Sequence, residues 1–298
     1  MYDWEDIAVS VENELLSSSS DWIYRHIVID EGQDFSPIML RSLAAAVMQH
    51  GSLTFFGDVA QQVYGIRVSW KNAGLVARGN IWEFKENYRN TKEIAKLALA
   101  ISQMPYFLDE TDLIVPNSPR ADGPLPSLVE FADTHLEMQF IVRQAMRLGQ
   151  TRPVGLLVRK REQVRRLIAE LNRGKVSVFE LHPERGKWDW GPGVFVGTYQ
   201  AAKGLEFETV LMPNCDTGNW PNPDRINEVG INETSAEDAR LLYVGVTRAR
   251  TNLIITFTGE KTELLPSKGS LYNRSYALPE NSYYTGFFSV NMSSMRIT

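Results

Sequence analysis

The chain has 298 residues, 43% hydrophobic and 22% charged, with a net charge of -5, which excludes a disordered chain and one coated in positive charge. At roughly 150 residues per domain, this length predicts two domains. No apolar run approaches the ~18 residues of a membrane span, and a single cysteine, Cys215, excludes a disulfide framework and a Cys-rich zinc site. Asp3, Glu5 and Asp6 stand where a signal peptide carries basic charge, and the cysteine usage fits a reducing compartment, so a cytoplasmic protein is expected. The charge is uneven: residues 1–82 hold 5 basic and 10 acidic residues, and the rest of the chain holds 26 of each. A balanced remainder leaves room for a narrow basic channel.

Taken in order, the predicted elements alternate. His26-Ile27-Val28-Ile29 reads as a buried strand running into Asp30-Glu31, and Leu53-Thr54-Phe55-Phe56 as another running into Gly57-Asp58. Ser17 to Ser20 reads as a flexible linker. Thr91 to Ser102 predicts a helix, with Ile94, Leu97, Ala98 and Ile101 on one stripe. Pro116 to Pro126 reads as a surface loop. Helices are predicted over Leu136 to Leu148 and Arg161 to Leu171, with strands at Val154 to Val158, Val194 to Gly197, Thr209 to Met212 and Leu253 to Phe257. Ser235-Ala236-Glu237-Asp238 has the form of a capping box opening a helix through Leu241, Leu242 and Val246. Pro266 to Thr298 shows no period. Strands alternating with helices predict open parallel α/β sheets, whose ligands bind beyond the carboxyl ends of the strands.

Five motifs carry the chemistry. Asp30-Glu31-Gly32-Gln33-Asp34 follows the first strand, and adjacent carboxylates there suit magnesium-assisted phosphoryl transfer. Next come Gly57-Asp58-Val59-Ala60-Gln61-Gln62-Val63-Tyr64-Gly65-Ile66-Arg67 and Asn87-Tyr88-Arg89-Asn90-Thr91. The last two are Val196-Gly197-Thr198-Tyr199-Gln200-Ala201-Ala202-Lys203-Gly204-Leu205-Glu206-Phe207 and Leu242-Tyr243-Val244-Gly245-Val246-Thr247-Arg248-Ala249-Arg250. In this order the set resembles the UvrD/Rep-type superfamily 1 DNA helicases, over about three quarters of the chain.

The resemblance implies two RecA-like domains of the P-loop NTPase type, with ATP and Mg2+ held between them and single-stranded DNA as partner. It implies an ATP-dependent helicase or translocase, a hydrolase of the DNA-repair kind. Carried over by position, Asp30 holds magnesium and Glu31 activates the attacking water. Gln61 senses the terminal phosphate, and Arg89 and Arg248 reach it from the second domain. Tyr88 stacks on adenine, Glu206 contacts the ribose, and Gly204 allows close backbone approach. Tyr64, Arg67, Thr198 and Gln200 face single-stranded DNA. These roles agree with phosphoryl-transfer chemistry and with the stacking and charge of single-strand channels.

Each residue also has a plainer reading. Arg89 would cap a turn, Tyr88 would be core, and Arg248 would pair with Glu237 or Asp238 on a helix surface. Arg159-Lys160-Arg161, with Arg165 and Arg166, is a basic helix start that either touches phosphates or forms a solvated face. Trp188 and Trp190 either stack bases or pack locally.

The sequence departs from the family pattern at several points. No G-x-x-x-x-G-K-[ST] occurs in the 298 residues. The expected organisation is therefore the second half of a first RecA-like domain over 1–82, its P-loop portion absent. A compact second RecA-like domain without the large accessory insertion follows over 83–260, then a tail over 261–298. Tyr2-Asp3-Trp4-Glu5-Asp6 resembles sequence that precedes the Asp-Glu motif inside longer members, which suggests a truncated chain. The missing half would be supplied in cis or by a partner subunit, and the chain alone would be inactive as an ATPase. The alternatives are a subunit of a split helicase and a non-catalytic module that binds nucleic acid or a partner. Ile66 and Gln200 stand where an aromatic residue and a His are common in the family.

Overall fold

The computed structural model describes residues 4–17, 23–57, 80, 82, 89–107, 122–174, 176–182 and 191–277. Among them are two parallel sheets. The first has two strands, β1 (Tyr24–Ile29) and β2 (Val47–Phe55), paired through His26↔Ser52 to Ile29↔Phe55. Helix α1 (Trp4–Ser17) lies on helix α2 (Pro37–Ala45), where Ser42 Oγ donates to the Ala8 carbonyl at 3.1 Å and Arg41 pairs with Glu12. Helix α2 starts because Ser36 accepts the Met39 N–H and Pro37 occupies the first turn, where its missing N–H costs nothing. Leu40 and Ile29 form a small core with Ile27, Phe35, Leu43, Leu53 and Phe55. The second strand begins six residues earlier than its apolar run, because Val47 already pairs with Tyr24.

The second sheet holds seven strands, all parallel, in the order β5-β6-β4-β7-β8-β3-β9. They are β3 (Ser127–Phe131), β4 (Pro153–Val158), β5 (Val178–Glu180), β6 (Gly193–Thr198), β7 (Phe207–Met212), β8 (Ala249–Thr258) and β9 (Asn273–Ala277). The helices are α3 (Lys92–Ser102), α4 (Thr134–Gly149), α5 (Arg161–Leu171), α6 (Pro223–Val229) and α7 (Ile231–Thr247). Successive strand side chains point to opposite faces, so each central strand feeds two cores. Leu157, Phe195, Val210 and Ile255 pack with Ile94, Leu97 and Ile101 of α3 and Leu242 and Val246 of α7. Leu156, Val196, Leu211 and Ile254 pack on the other face with Ile141 of α4 and Val164, Leu167 and Leu171 of α5. This is the doubly covered parallel α/β sheet that the RecA-like reading requires.

Two expectations need correction. The Ser235–Asp238 box does not open a helix: α7 has begun by Ile231, and Thr234 Oγ1 already donates back to the Gly230 carbonyl at 2.8 Å. Both box residues are buried in mid-helix. Residues 273–277, placed by composition in a structureless tail, form edge strand β9 on β3. The Pro116 to Pro126 loop and the Ser17 to Ser20 linker fall mostly outside the described residues, although Ser17 itself closes α1.

Candidate functional site

Asp30 and Glu31 follow the carboxyl end of β1, as the motif reading placed them. The Glu31 N–H donates to Asp30 Oδ1 at 2.9 Å. Glu31 itself sits in the left-handed region, with φ 51° and ψ 37°. Two hydrogen bonds fix the bend: Gly32 N–H to the Phe56 carbonyl and Phe56 N–H to the Ile29 carbonyl, both 2.8 Å. Gly32 is required there, because a Cβ would lie 2.1 Å from the Phe55 ring. A non-glycine residue in this conformation stores strain of order 1 kcal/mol, the kind of strain that clusters at functional sites.

The second group of residues stands at the opposite edge of the other sheet. Glu206 immediately precedes β7 and Arg248 immediately precedes β8, so both lie at the amino edge, where Phe207 and Ala249 are register partners. Arg89 forms an ion pair with Glu206. Residues 90 and 91 are fastened to the same edge. The Asn90 side chain donates to the Thr247 and Ala249 carbonyls, at 2.9 and 2.6 Å, and Thr91 N–H donates to the Arg250 carbonyl at 3.0 Å. Asp30 and Glu31 thus stand at a carboxyl end, and Glu206 and Arg248 at an amino edge with Arg89 paired to it.

Arg248 does not pair with Glu237 or Asp238 on a helix surface. It is fully buried, and its guanidinium donates to the Val244 carbonyl, the Leu205 carbonyl and Thr247 Oγ1 at 3.2, 3.3 and 3.1 Å. Glu237 is held by Arg225 and Asp238 by Arg159.

Residues 199–206 run from the carboxyl end of β6 across β4 to the amino end of β7. At the start of this crossover, Thr198 Oγ1 accepts the Ala201 N–H at 3.2 Å, and the Gln200 carbonyl accepts the Lys203 N–H. Thr198 and Gln200 are both partly exposed. Tyr199 between them is fully buried, edge-on to Trp220 at 5.3 Å, and burial pushes its phenol well above the usual range.

At the far end the crossover meets the first sheet. Lys203 forms an ion pair with Asp34, and Gly204 lies beside Glu31. Gly204 has φ +73°, which favours glycine, and a Cβ there would meet Glu31 Oε1 at an ordinary 3.9 Å. Asp34 and Glu31 thus touch the end of the crossover that leads into β7.

Arg159, expected on a solvated basic face or on phosphate, is turned inward. Its Nη2 lies 2.6 Å from Asp238 Oδ1, and its guanidinium sits 4.6 Å over the Trp220 ring. Lys160 pairs with exposed Asp224, whose carboxyl it holds below the usual range. Gln61, Tyr64, Arg67, Tyr88, Trp188 and Trp190 lie outside the described residues.

The motif reading gave no role to Asp34, Lys203 or Asn90. All three were inside the motifs, and their partners lie far away in sequence.

Among the described residues, no group of three or more His, Cys, Asp or Glu side chains forms a metal site. A magnesium ion bound mainly through phosphates and water needs only one or two carboxylates, which Asp30 and Glu31 supply as hard oxygen donors. No helix among the described residues is long and apolar enough to cross a membrane.

Comparison with known proteins finds two matching family models. The family model of the UvrD/REP helicase N-terminal domain matches residues 3–88, and that of the UvrD-like helicase C-terminal domain matches residues 180–260. A probable DNA helicase II homolog of Rickettsia conorii is 40% identical over 68 residues, covering 23% of this chain and 10% of the relative. ATP-dependent DNA helicase UvrD2 of Mycobacterium tuberculosis is 22% identical over an alignment of 359 positions, covering 86% of this chain and 51% of the relative. The chain thus spans about half the length of the mycobacterial relative and a tenth of the rickettsial one. A solved C-terminal domain of a possible DNA helicase from Lactobacillus strain WCFS1 is similar with a TM-score of 0.45 at 21% identity, covering 63% of this chain and 98% of that one. The match over 3–88 corrects the expectation of a first domain whose P-loop portion is absent: the N-terminal helicase domain is represented over those residues. The chain is similar to both domains of UvrD-like helicases, to the N-terminal one over residues 3–88 and to the C-terminal one over residues 180–260.

Proposed function

We propose that this chain couples ATP hydrolysis between two RecA-like units to movement along single-stranded DNA. The observation that carries this reading is the meeting of the motifs. Glu31 and Asp34, in the motif that follows β1, meet Gly204 and Lys203 of the crossover, whose last residue, Glu206, pairs with Arg89 at the amino edge of β7 and β8. The units are residues 1–82 and 83–260, followed by a tail over 261–298 from which residues 273–277 add β9 to the second sheet.

In this reading Asp30 holds Mg2+, which supplies charge neutralisation on the phosphates, and Glu31 orients and deprotonates the attacking water. Gln61 and the two arginines answer to the terminal phosphate, and Tyr88 and Glu206 hold the nucleoside. Gly204 permits the backbone turn that brings the crossover to Glu31. Arg89 and Glu206 neutralise each other until nucleotide separates them. Tyr64, Arg67, Thr198 and Gln200 line the DNA path, with the last two at the carboxyl edge, away from the nucleotide. The protein works in the cytoplasm. The 298 residues spell no G-x-x-x-x-G-K-[ST], so hydrolysis needs a phosphate-cradling group supplied in cis or by a partner subunit, and the chain alone turns over negligibly.

The test is ATP hydrolysis, with and without single-stranded DNA, by the native protein together with any subunit that co-purifies. DNA should stimulate turnover, and Glu31→Gln should lower it by about 10²-fold or more while sparing nucleotide binding. Turnover indifferent to DNA, or unchanged by Glu31→Gln, refutes the reading. The same sequence feature favours a second reading, a non-catalytic module that binds DNA. Tight binding of single-stranded DNA that no nucleotide or subunit alters would establish it.

A further inference from the structure

Asn90 has no role in the reading above, yet it is 5% exposed and its amide is fully engaged. It donates to the two carbonyls that flank Arg248, those of Thr247 and Ala249. Arg89, its chain neighbour, pairs with Glu206. Glu206 is followed by Phe207, whose N–H donates to the Arg248 carbonyl at 2.9 Å. These links close a circuit: Arg89 to Glu206, along one peptide to Phe207, across to Arg248, and back through Asn90.

The chemistry of the side chain fits this place. The Thr247 carbonyl is one of the last of α7 and has no partner within the helix. A primary amide brings two protons on one short arm, enough for both carbonyls. A serine hydroxyl brings one, and an ionised aspartate none.

We propose that Asn90 is a positioning residue that fixes the backbone spacing of Arg89 and Arg248. The two arginines then form one unit, set within the second sheet before any nucleotide arrives. The substrate feature this unit recognises is the terminal phosphate of a nucleoside triphosphate. The proposal rests on the nucleotide reading of the site given above. A fixed backbone spacing leaves only the two side chains to move, Arg89 from Glu206 and Arg248 from its carbonyl partners, when nucleotide binds, and a misplacement of ~1 Å can cost about 10²-fold.

The test compares the affinities of ATPγS and ADP, with Mg2+, by displacement of a fluorescent ADP analogue. It uses the full chain with any subunit that co-purifies. Asn90→Ala should weaken ATPγS about 10-fold and ADP by less than about 2-fold, because only the arginine spacing is lost. Asn90→Ser, which keeps one donor, should fall between and also serves if the alanine variant does not fold. Arg89→Ala should lose the preference for triphosphate, and adding Asn90→Ala to it should cost no more than about 2-fold further, since both act through one unit. Equal weakening of both nucleotides, full discrimination in folded Asn90→Ser, or independent effects in the double variant would overturn the proposal and leave the nucleotide reading standing. Unchanged discrimination in Arg89→Ala, or none in the unaltered protein, would overturn the nucleotide reading and this inference with it.

Discussion

Glu137, in the first turn of α4, offers a severe test of how the second sheet holds together. Its side chain is completely buried. The carboxylate accepts from Thr256 Oγ1 at 2.5 Å, from the Asn214 N–H at 2.8 Å and from Thr258 Oγ1 at 2.8 Å, with Asn214 Nδ2 at 3.4 Å. It therefore joins the start of α4, the end of β8 and the turn after β7. Replacement by alanine removes all of these bonds. The two hydroxyls can rotate towards other acceptors, but the Asn214 N–H cannot turn away, because that residue is held at φ 58°. Three short bonds to a charged acceptor, at about 1.5–3 kcal/mol each, are offset by no longer burying a carboxylate, which leaves a net loss of ~3–4 kcal/mol for Glu137→Ala. Glu137→Gln keeps the volume and one accepting oxygen, and its amide can donate to a reversed hydroxyl, so the loss should be ~1–2 kcal/mol. Urea denaturation followed by circular dichroism measures both, as a shift of midpoint at constant slope. An alanine variant less than ~1 kcal/mol below wild type, or a glutamine variant as damaged as the alanine one, would refute the reasoning.

Three further outcomes follow from the same structure. Gly204→Ala should cost ~1–2 kcal/mol from the positive φ alone, because the nearest neighbour of the added carbon is at ordinary contact distance; a neutral result in the urea assay would show that the turn is not fixed. Gly245→Ala has an ordinary backbone but places a carbon 2.6 Å from buried Tyr199, so it should lose ~1–3 kcal/mol, and Tyr199→Phe should not relieve it because the clash is with the ring edge. Burial holds the Asp238 carboxyl above its ordinary range, against the opposing pull of Arg159. The folded protein then keeps this proton where the unfolded chain has lost it. Its contribution is full below about pH 3.9 and fades as pH rises to the raised native value. Asp238→Asn should remove that slope, so the stability gap between variant and wild type should change with pH from about 4 upward; a gap constant with pH counts against it.

Local patterns were enough to find most of the second sheet. The runs at 154–158, 194–197, 209–212 and 253–257 are short, apolar and bounded by turn residues, and each lies inside a strand of the structure. The stripe at Ile94, Leu97 and Ile101 faces the core as its spacing requires. What escaped was set by distant partners. Ser127–Phe131 is too short to stand out after a Pro-rich stretch, and β9 is four-fifths exposed and exists only because β3 presents a free edge. The Ser235–Asp238 pattern is a genuine capping sequence, but Asp238 is committed to Arg159 and to the Asn222 N–H, both far from it in the chain. Arg248 reads as an exposed cation in any sequence scale, yet the carbonyls of Val244 and Leu205 take it inside. Within the motifs, residue types pointed to the site, while Lys203–Asp34 and Asn90–Thr247 needed three dimensions to be seen.

Under the proposed reading, the amino-edge position of Arg89, Glu206 and Arg248 has a simple cause. The carboxyl-end rule describes one open sheet and one ligand. A ligand held between two sheets that point the same way meets the carboxyl edge of the first and must meet the amino edge of the second. Asp30 and Glu31 would meet the first of these conditions, and Arg89, Glu206 and Arg248 the second. Under the proposed reading this has a mechanical consequence. The DNA-facing Thr198 and Gln200 remain at the carboxyl edge of β6, and residues 199–206 join them directly to Glu206 at the amino edge, without an intervening helix. Tyr199, wedged between Trp220 and Gly245, anchors one end of that segment to the body of the second sheet. Lys203 and Gly204 rest the other end against the first. A change at the nucleotide that altered the contact of Lys203 with Asp34 would therefore be felt at Thr198 through a short stretch of backbone pinned at one end, rather than through the packing of the whole domain.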